Sequence, residues 1–317
     1  MTEKTQRPAA TVGWVGTGRM GFAMAKRLIA AGVDVTVYNR TRAKAQPLVE
    51  RGARIAESVA ALADRDIVFT MLGGPKDVVE TIGGPEGLLS RPGRAPKVIV
   101  DCTTISMDAA REARAAAAKA GAAFLDAPVS GNPYVVEAGL MSFICSGTRP
   151  AFDAAKPYLD LMGKSATYAG EGELARIVKI CHNTFLGGMI QSLIETTILA
   201  NKAGVPRHAY LEFINNSALG SMFTRYKSPA LVNLDFKPTF TPPLLQKDMD
   251  LGLAAARELH VSMPVSAATR EIVQNLVARG YVDCDFAALI ELEAEASGMK
   301  ITPEGVEVDK GLPHPKD

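Results

Sequence analysis

The chain has 317 residues, with 35 Lys and Arg against 34 Asp and Glu, which gives a formal net charge of +1. At roughly 150 residues per domain, this length predicts about two domains. The balanced charge argues against a nucleic-acid-binding protein, and no apolar run reaches the roughly 18 residues of a membrane span. The N-terminal charges adjoin no apolar signal core. We therefore expect a cytoplasmic protein that binds neither nucleic acid nor a membrane.

The spacing of cysteines and histidines indicates neither a disulfide framework nor a metal site. The four cysteines form no Cys-x-x-Cys pair, and no two of the four histidines have the spacing of metal ligands. We expect reduced thiols and no bound metal. The cysteines are Cys102, Cys145, Cys181 and Cys284.

Short β-branched runs alternate with Ala-rich helical segments in the first half of the chain. The predicted strands are Thr11–Val15, Val33–Tyr38, Ile67–Leu72, Lys97–Asp101, Ala123–Val129 and Leu140–Cys145. The predicted helices between them are Met20–Ala31, Ser58–Ala63 and Ser106–Ala120. Strands that alternate with helices predict an α/β fold with a doubly wound parallel sheet, covered on both faces.

The pattern changes after Gly172, where strand alternation stops. Residues Glu173–Ala203 contain no proline and predict one long helix, interrupted only by two glycines at 187 and 188. Further helices are predicted at Arg207–Asn216, Leu244–His260, Pro264–Arg279 and Asp285–Ala296. We therefore expect a first domain over residues 1–172, an all-α second domain over 173–300 that begins with the long helix, and a poorly ordered tail over 301–317.

A glycine-rich turn follows the first predicted strand. It has the pattern G-x-G-x-x-G, and a predicted helix comes directly after it. The three glycines allow a tight turn, a close approach of the backbone to a pyrophosphate, and close packing of helix on strand. Free N–H groups at the start of the helix then favour phosphate. The candidate residues are Gly16, Thr17, Gly18, Arg19, Met20 and Gly21.

The residues after the second predicted strand indicate which dinucleotide is preferred. A site for NAD places Asp or Glu here to bind the ribose 2′-hydroxyl, but this chain has Asn39, Arg40 and Thr41, followed by Arg42 and Lys44. Arginine suits a 2′-phosphate because it donates two parallel charge-assisted hydrogen bonds. The pattern predicts NADP in preference to NAD, with a solvated basic turn as the alternative.

Lys179, His182 and Asn183 share one face of the predicted long helix, because they lie three and four residues apart. The lysine has apolar neighbours, and burial lowers the pKa of a lysine toward the range useful for general acid–base catalysis. Arg176 is a second cationic candidate. The alternative is a lysine whose stem packs beside the core while its amine reaches water.

Four sequence blocks along the chain together point to a known family. The blocks are Val15–Ala25 (VGTGRMGFAMA), Asp126–Gly131 (DAPVSG), Lys179–Asn183 (KICHN) and Lys247-Asp248. With these blocks in this order, the chain resembles the β-hydroxyacid dehydrogenase family, the relatives of 3-hydroxyisobutyrate dehydrogenase and tartronate semialdehyde reductase, over roughly residues 11 to 300. The resemblance implies a Rossmann-type domain followed by a helical domain.

The resemblance also implies roles for individual residues. Lys179 acts as the general acid and base, Asn183 holds the substrate, and Ser130 with Gly131 binds the substrate carboxylate. The cofactor is lined by Met71, Leu72 and Thr103, and Lys247 reaches it with support from Asp248, although a surface ion pair is the alternative for those last two.

Two departures from the family pattern affect the expected substrate site. A second glycine usually follows Gly131, but this chain has Asn132 and then Pro133, which lacks a backbone donor. The lysine block usually carries two amide residues, and here the first is His182. We expect a reshaped pocket in which Asn132 and His182 face the substrate, with simple packing as the alternative for His182.

The resemblance leaves alternatives to a hydroxyacid dehydrogenase. Imine-reducing enzymes share the architecture but generally lack the lysine, and a non-catalytic dinucleotide-binding protein is also compatible with the glycine-rich turn. The favoured interpretation implies NADP or NAD as cofactor, a small hydroxy or oxo carboxylate as substrate, and a homodimer or homotetramer.

Overall fold

Nine strands form one sheet in the part of the chain that the structure describes, residues 9–311 of a computed structural model. The strands are β1 (Val12–Val15), β2 (Val35–Tyr38), β3 (Arg54–Ile55), β4 (Ile67–Thr70), β5 (Val98–Asp101), β6 (Ala123–Asp126), β7 (Val129–Ser130), β8 (Ser142–Ser146) and β9 (Ser165–Gly170). Their order is β3-β2-β1-β4-β5-β6-β8-β7, and β9 pairs with β8. Pairing is parallel from β3 to β6 and antiparallel where β8 meets β6 and β7.

The sheet has its topological switch at β1, which lies between β2 and β4. Val12 is opposite Val35 on one side and Ile67 on the other. The chain runs outward from β1 to β3, returns to β4 and continues to β6. In open parallel sheets of this order, ligands bind at the carboxyl ends of the strands beside the switch. The loops that follow β1 and β4 are therefore where a site is expected.

Six helices belong wholly to the sheet-bearing unit among the described residues. They are α1 (Arg19–Ala30), α2 (Gln46–Val49), α3 (Pro75–Gly83), α4 (Met107–Lys119), α5 (Pro133–Glu137) and α6 (Arg149–Met162). The segment predicted as an α-helix at Ser58–Ala63 is instead a 3₁₀ helix, Val59–Asp64, which begins where the Ser58 hydroxyl accepts the Ala61 N–H at 3.2 Å. The predicted strand Ala123–Val129 divides into β6 and β7 at Pro128, which has no N–H to donate to a ladder.

The core of this unit forms because the central strands are apolar on both faces. All four residues of β1, β4 and β5 are buried. On one face the rings of Trp14 and Phe69 stack with centroids 5.5 Å apart. On the other, Val15, Val68 and Ile99 belong to a cluster that the alanines of α4 complete. The doubly wound α/β fold is thus confirmed.

A long helix, α7 (Leu174–Lys202), contains the boundary between the two compact units of the chain. One unit extends to Lys179 and the second begins at Ile180. The boundary therefore falls within the helix, whereas a change of domain was expected before it, at Gly172. Pairing explains the difference, because the first turn of α7 is hydrogen-bonded to the sheet-bearing unit.

Over residues 180–311 the second unit contains helices and no strand. After α7 come α8 (Arg207–Asn216), α9 (Met222–Asn233), α10 (Pro242–Glu258), α11 (Pro264–Ala278) and α12 (Leu289–Ala296). Their core includes Ile190, Leu245 and Phe286. Gly187 allows α7 to pack on α10, because a Cβ there would lie 2.9 Å from the sulfur of Met249. No helix within the described residues is long and apolar enough to cross a membrane.

The segment 301–311 lacks regular secondary structure but is anchored to the helical unit. Ile301, Val306 and Val308 pack against its core. The carboxylate of Glu304 accepts the backbone N–H groups of Arg207 and His208 at 2.7 and 3.0 Å. Residues 301–311 were expected to be poorly ordered, but these contacts attach them to the helical unit. Residues 312–317 lie outside the described part of the chain.

Candidate active site

The turn after β1 has a backbone that glycine alone accommodates at two positions. Gly16 has φ +95°, and a Cβ there would lie 2.2 Å from the carbonyl oxygen of Met71. A Cβ at Gly21 would lie 2.0 Å from the carbonyl oxygen of Gly16. At Gly18, by contrast, a Cβ would meet nothing within 4 Å. The first and third glycines are thus required by the fold, whereas the second leaves an open surface beside the start of α1.

Thr17 and Asn39 hold this turn against the loop after β2. The Thr17 N–H donates to Asn39 Oδ1 at 2.9 Å, and Asn39 Nδ2 donates to the Thr41 carbonyl at 2.9 Å. The Thr17 hydroxyl is buried and has no hydrogen-bond partner among residues 9–311. An orphaned buried hydroxyl beside an open glycine and a helix N-terminus fits the pyrophosphate of a dinucleotide, which supplies acceptors for such donors.

The basic residues after β2 are not equivalent. Arg40 has a side chain that is 91% exposed, and its nearest carboxylate, on Asp77, is 3.9 Å away. Arg42 donates to Glu57 at 2.9 Å. Arg19, at the start of α1, is exposed, and the first turn of that helix contains no acidic residue. Arg40 and Arg19 are therefore the cations best placed to meet phosphate in this unit.

Met71, Leu72 and Thr103 lie on the loops that follow β4 and β5. The Met71 N–H donates to the Val15 carbonyl at 2.9 Å, and the Leu72 N–H donates to Thr103 Oγ1 at 3.0 Å. The Thr103 hydroxyl donates in turn to Asp101 Oδ1 at 2.7 Å. These bonds join the two loops to the glycine-rich turn, so the structure brings the predicted cofactor-lining residues of this unit together.

Two carboxylates and an arginine are buried at the carboxyl ends of β5 and β6. Arg176 Nε donates to Asp126 Oδ1 at 2.6 Å, and Arg176 Nη2 donates to Asp101 Oδ2 at 2.7 Å. Its Nη1 donates to the Thr103 carbonyl. Arg114 also bonds Asp126. Burial acts against the charge, but the carboxylates of Asp126 and Asp101 raise the pKa of Arg176 above its ordinary value.

No role in this region was predicted for Asp101 or Asp126, although Asp126 begins the second sequence block of the family resemblance. Burial raises the pKa of Asp126, and the guanidinium groups of Arg176 and Arg114 oppose that shift. The available signal was an aspartate at the last position of two neighbouring buried strands. Carboxyl ends of parallel strands meet at one edge of the sheet, so such carboxylates require cationic partners.

The predicted substrate loop lies between β7 and α5. Gly131 has φ +141°, and a Cβ there would lie 2.9 Å from the Val135 side chain. Asn132 Oδ1 accepts the Val135 N–H at 3.0 Å and so caps α5, while Pro133 occupies its first turn. Ser130 ends β7 directly before this cap. The departure from the family pattern therefore has a structural reason, since Asn132 and Pro133 start a helix.

Lys179 is buried, with 9% of its surface exposed, and it is the last residue of the sheet-bearing unit. Asn183, one turn further along α7, is buried in the helical unit and donates through Nδ2 to Asp248 Oδ2. His182 Nδ1 lies 2.9 Å from Asn183 Oδ1. Because an amide oxygen can only accept, this contact indicates that Nδ1 of His182 carries a proton.

Lys247 and Asp248 lie at adjacent positions of α10. Lys247 Nζ is 3.2 Å from Asp248 Oδ1, and Lys247 is 30% exposed while Asp248 is buried. The pair is therefore not the fully solvated surface pair that was its alternative. In the helical unit the structure brings together His182, Asn183, Lys247 and Asp248.

Comparisons with known proteins found relatives for most of the chain. Residues 11–170 match the NAD binding domain of 6-phosphogluconate dehydrogenase, and residues 173–292 match the NAD-binding domain of NADP-dependent 3-hydroxyisobutyrate dehydrogenase. The chain is 34% identical to glyoxylate/succinic semialdehyde reductase 2 of Arabidopsis thaliana, a chloroplastic protein, over 89% of this chain and 78% of that protein.

Solved structures show the same fold. A 3-hydroxyisobutyrate dehydrogenase from Mycobacterium tuberculosis with L-serine has a TM-score of 0.77 at 27% identity, covering 89% of this chain and 98% of that one. Psf3 in complex with NADP⁺ and 2-OPP has a TM-score of 0.81 at 26% identity, covering 89% and 99%. The chain belongs to the β-hydroxyacid dehydrogenase family and is an oxidoreductase that uses NAD(P).

Proposed function

We propose that the protein interconverts a β-hydroxyacid, or a related hydroxy carboxylate, and the corresponding semialdehyde or keto acid, with Lys179 as general acid and base. The observation that carries the proposal is the burial of Lys179 in the same unit as the glycine-rich turn. A lysine at 9% exposure is removed from most of the surrounding water. Little water is left there to screen the charge of the lysine, so that charge would act strongly on a carbonyl oxygen bound beside it.

The chain's own residues divide the chemistry. NADP or NAD, held at the glycine-rich turn, would supply or accept the hydride, which no side chain of the protein can do. Lys179 donates a proton to the carbonyl oxygen during reduction and removes it during oxidation. Its charge also stabilises the negative charge that develops on that oxygen. The Thr17 hydroxyl and the first N–H groups of α1 bind the pyrophosphate.

The substrate class follows from the loop after β7 and from the relatives. Ser130 and the N–H of Gly131 offer donors for a carboxylate, and Asn183 offers an amide held by Asp248. The similar plant protein is named as a glyoxylate and succinic semialdehyde reductase, so its substrates carry a carboxylate and a carbonyl. A small oxo carboxylate satisfies both features.

NADP is the proposed cofactor because the loop after β2 presents Arg40 and no carboxylate. Asn39, which stands where NAD-specific sites carry an acidic residue, is engaged with Thr17 and Thr41. A 2′-phosphate bound beside Arg40 would meet a cation, and no acidic residue stands at position 39. Lys247 is assigned to the cofactor by the family resemblance.

The decisive experiment measures turnover of glyoxylate, succinic semialdehyde and 3-hydroxyisobutyrate with NADPH or NADP⁺ and with NADH or NAD⁺. We expect Lys179→Ala to lower kcat by roughly a hundredfold or more while NADPH binding is retained. Lys202→Ala is the matched control, because Lys202 lies at the other end of α7 and its Nζ donates to the Ser297 carbonyl. Full turnover in Lys179→Ala would exclude this lysine from the mechanism. Equal affinity for both cofactors would exclude the NADP preference.

We also propose a cytoplasmic homodimer or homotetramer. Phe185 and Leu199 on α7 are 67% and 70% exposed, and Phe213 on α8 is 70% exposed, so the helical unit has apolar side chains that a second copy would cover. Analytical ultracentrifugation tests this, and a monomer at micromolar concentration would contradict it.

A further inference from the structure

Arg176 binds the first turn of α7 to the carboxyl ends of β5 and β6. It is 1% exposed, and Asp101 and Asp126 are fully buried. Removing three charges from water carries a desolvation cost, and well-packed apolar residues of similar volume are often as stable or more so. A buried cluster of this kind is therefore weak evidence that it serves stability. The parts of the fold that the cluster joins indicate its role more directly.

The cluster connects α7 to the loops that line the cofactor site. Asp101 Oδ1 accepts the Thr103 hydroxyl at 2.7 Å and the Thr103 N–H at 3.2 Å, while Oδ2 accepts from Arg176 at 2.7 Å. Arg176 also donates directly to the Thr103 carbonyl. Thr103 Oγ1 accepts the Leu72 N–H at 3.0 Å. A continuous set of hydrogen bonds therefore runs from the helix to both loops.

Lys179 lies one helical turn after Arg176, on the same side of α7. The guanidinium is planar and forks toward two carboxylates, so it fixes the rotation of the helix about its axis as well as its distance from the sheet. A rotation or shift of that first turn would move Lys179 directly. Errors of about 1 Å in such positions can cost roughly a hundredfold in rate.

We propose that Arg176 is a positioning residue, which holds Lys179 in register with the loop that carries Thr103. This inference rests on the proposed function, because it assumes that Lys179 takes part in proton transfer. It assigns to Arg176 a role in the rate of the chemical step and not in cofactor affinity.

Arg176→Met and Arg176→Lys test the proposal in the full chain with NADPH and an oxo carboxylate. We expect kcat to fall by roughly a hundredfold in Arg176→Met, with the KM for NADPH little changed. Arg176→Lys keeps the positive charge but loses the planar guanidinium that bonds two carboxylates at once. Its kcat should therefore lie between that of the wild type and that of Arg176→Met. If Arg176→Met does not fold, Arg176→Lys carries the test, and a wild-type kcat in the lysine variant would overturn the proposal.

Arg207→Met is the matched control for the loss of a buried arginine. Arg207 is 3% exposed in the helical unit and donates to the carbonyls of Leu231, Val232 and Thr302. The Arg207→Met substitution should lower the melting temperature without lowering the kcat of the folded enzyme. If both arginine variants lower stability and neither lowers kcat, Arg176 is a structural residue and the proposal is wrong.

A double-mutant cycle separates this proposal from the proposed function. If Arg176 acts through Lys179, Arg176→Met should lower kcat far less in a Lys179→Ala background than in the wild type. Full additivity would overturn the positioning role while leaving the function of Lys179 intact. Wild-type turnover in Lys179→Ala alone would instead overturn the proposed function.

Discussion

A buried ionic cluster lies in each unit among residues 9–311, and these two clusters differ in what they hold. In the sheet-bearing unit Arg176 bonds carboxylates at strand ends that also bond Thr103. In the helical unit Lys227 bonds Asp285, and Lys227 Nζ lies 4.0 Å from the centre of the Phe286 ring. The first cluster reaches loops of the candidate site, whereas the second lies among residues with no assigned part in it.

Asp285 shows what the second cluster does. Its carboxylate accepts the N–H groups of Thr239 and Phe240 at 3.2 Å each, and that of Ala287 at 3.0 Å. It therefore joins the connection before α10 to the connection before α12. The same pairing of a buried cation with a carboxylate thus serves a candidate active site in one unit and loop attachment in the other. Position in the fold, and not the type of interaction, decides the role.

The largest expected effect comes from breaking the cluster of the helical unit. Lys227→Met leaves Asp285 buried beside an apolar chain, which should lower the free energy of unfolding by about 3–5 kcal/mol. Urea denaturation at neutral pH measures the loss. NADPH affinity of the folded variant should match that of the wild type, because Lys227 contacts no residue assigned to the cofactor. Weaker NADPH binding would contradict the distinction between the clusters.

The pH dependence of stability should reverse in the same variant. Burial alone would raise the pKa of Asp285, but Lys227 and the hydrogen bonds of its loop lower it below the ordinary value. In the wild type this carboxylate therefore stabilises the fold above about pH 4, and the contribution is lost as the pH falls through the lowered pKa. In Lys227→Met burial should raise that pKa above its value in the unfolded chain. The free energy of unfolding should then decrease as the pH rises from about 5 to 8, because the buried carboxyl has to lose its proton.

A smaller effect is expected where α7 crosses α10. A Cβ at Gly252 would lie 2.2 Å from Thr184 Oγ1, which itself donates to the Ile180 carbonyl at 2.9 Å. Gly252→Ala should therefore cost about 1–3 kcal/mol of unfolding free energy. Gly188→Ala is the matched control, since a Cβ there meets nothing within 4 Å, and a gain of about 0.5–1 kcal/mol is expected from helix propensity. Equal effects in the two variants would disprove close contact at this crossing.

Local sequence patterns predicted many of the elements that the structure contains. Apolar runs predicted the central strands β1, β2, β4, β5 and β6, helical spacing predicted the long helix, and the G-x-G-x-x-G pattern predicted the turn at Gly16. Several of the elements that were not predicted conflict with local rules. Helices α6 and α9 contain Pro157 and Pro229, and β9 is only partly buried at the sheet edge. Tertiary packing overrides those local signals.

Site residues whose partners are distant in sequence could not be predicted. Arg176 is 75 residues from Asp101 and 50 from Asp126, so nothing local shows that they meet. Arg42 illustrates the same limit, because its ion pair with Glu57 depends on how the loop after β2 folds back. Asn132 was interpreted through a family pattern as a pocket residue, and its role as the cap of α5 could not be predicted from that pattern.

The smallest predicted effect concerns an ionic contact that is only partly buried. Solvent screens such a contact, so it should contribute less to the free energy of unfolding than the buried clusters do. Asp66 accepts the Thr11 N–H at 2.9 Å and lies 2.8 Å from Lys97 Nζ, and these partners lower its pKa from 3.8 to about 2. Because its side chain is 31% exposed, Asp66→Asn should cost only about 1 kcal/mol at neutral pH. The loss should vanish as the pH falls from about 4 to 2, since the wild-type carboxylate then takes up its proton.

Asp64→Asn, which breaks an exposed pair with Arg94, is the control for this variant and should cost less than about 0.5 kcal/mol. Urea denaturation at several pH values distinguishes the two variants, and a pH-independent loss in Asp66→Asn would show that its hydrogen bonds to Thr11, and not its charge, stabilise the fold.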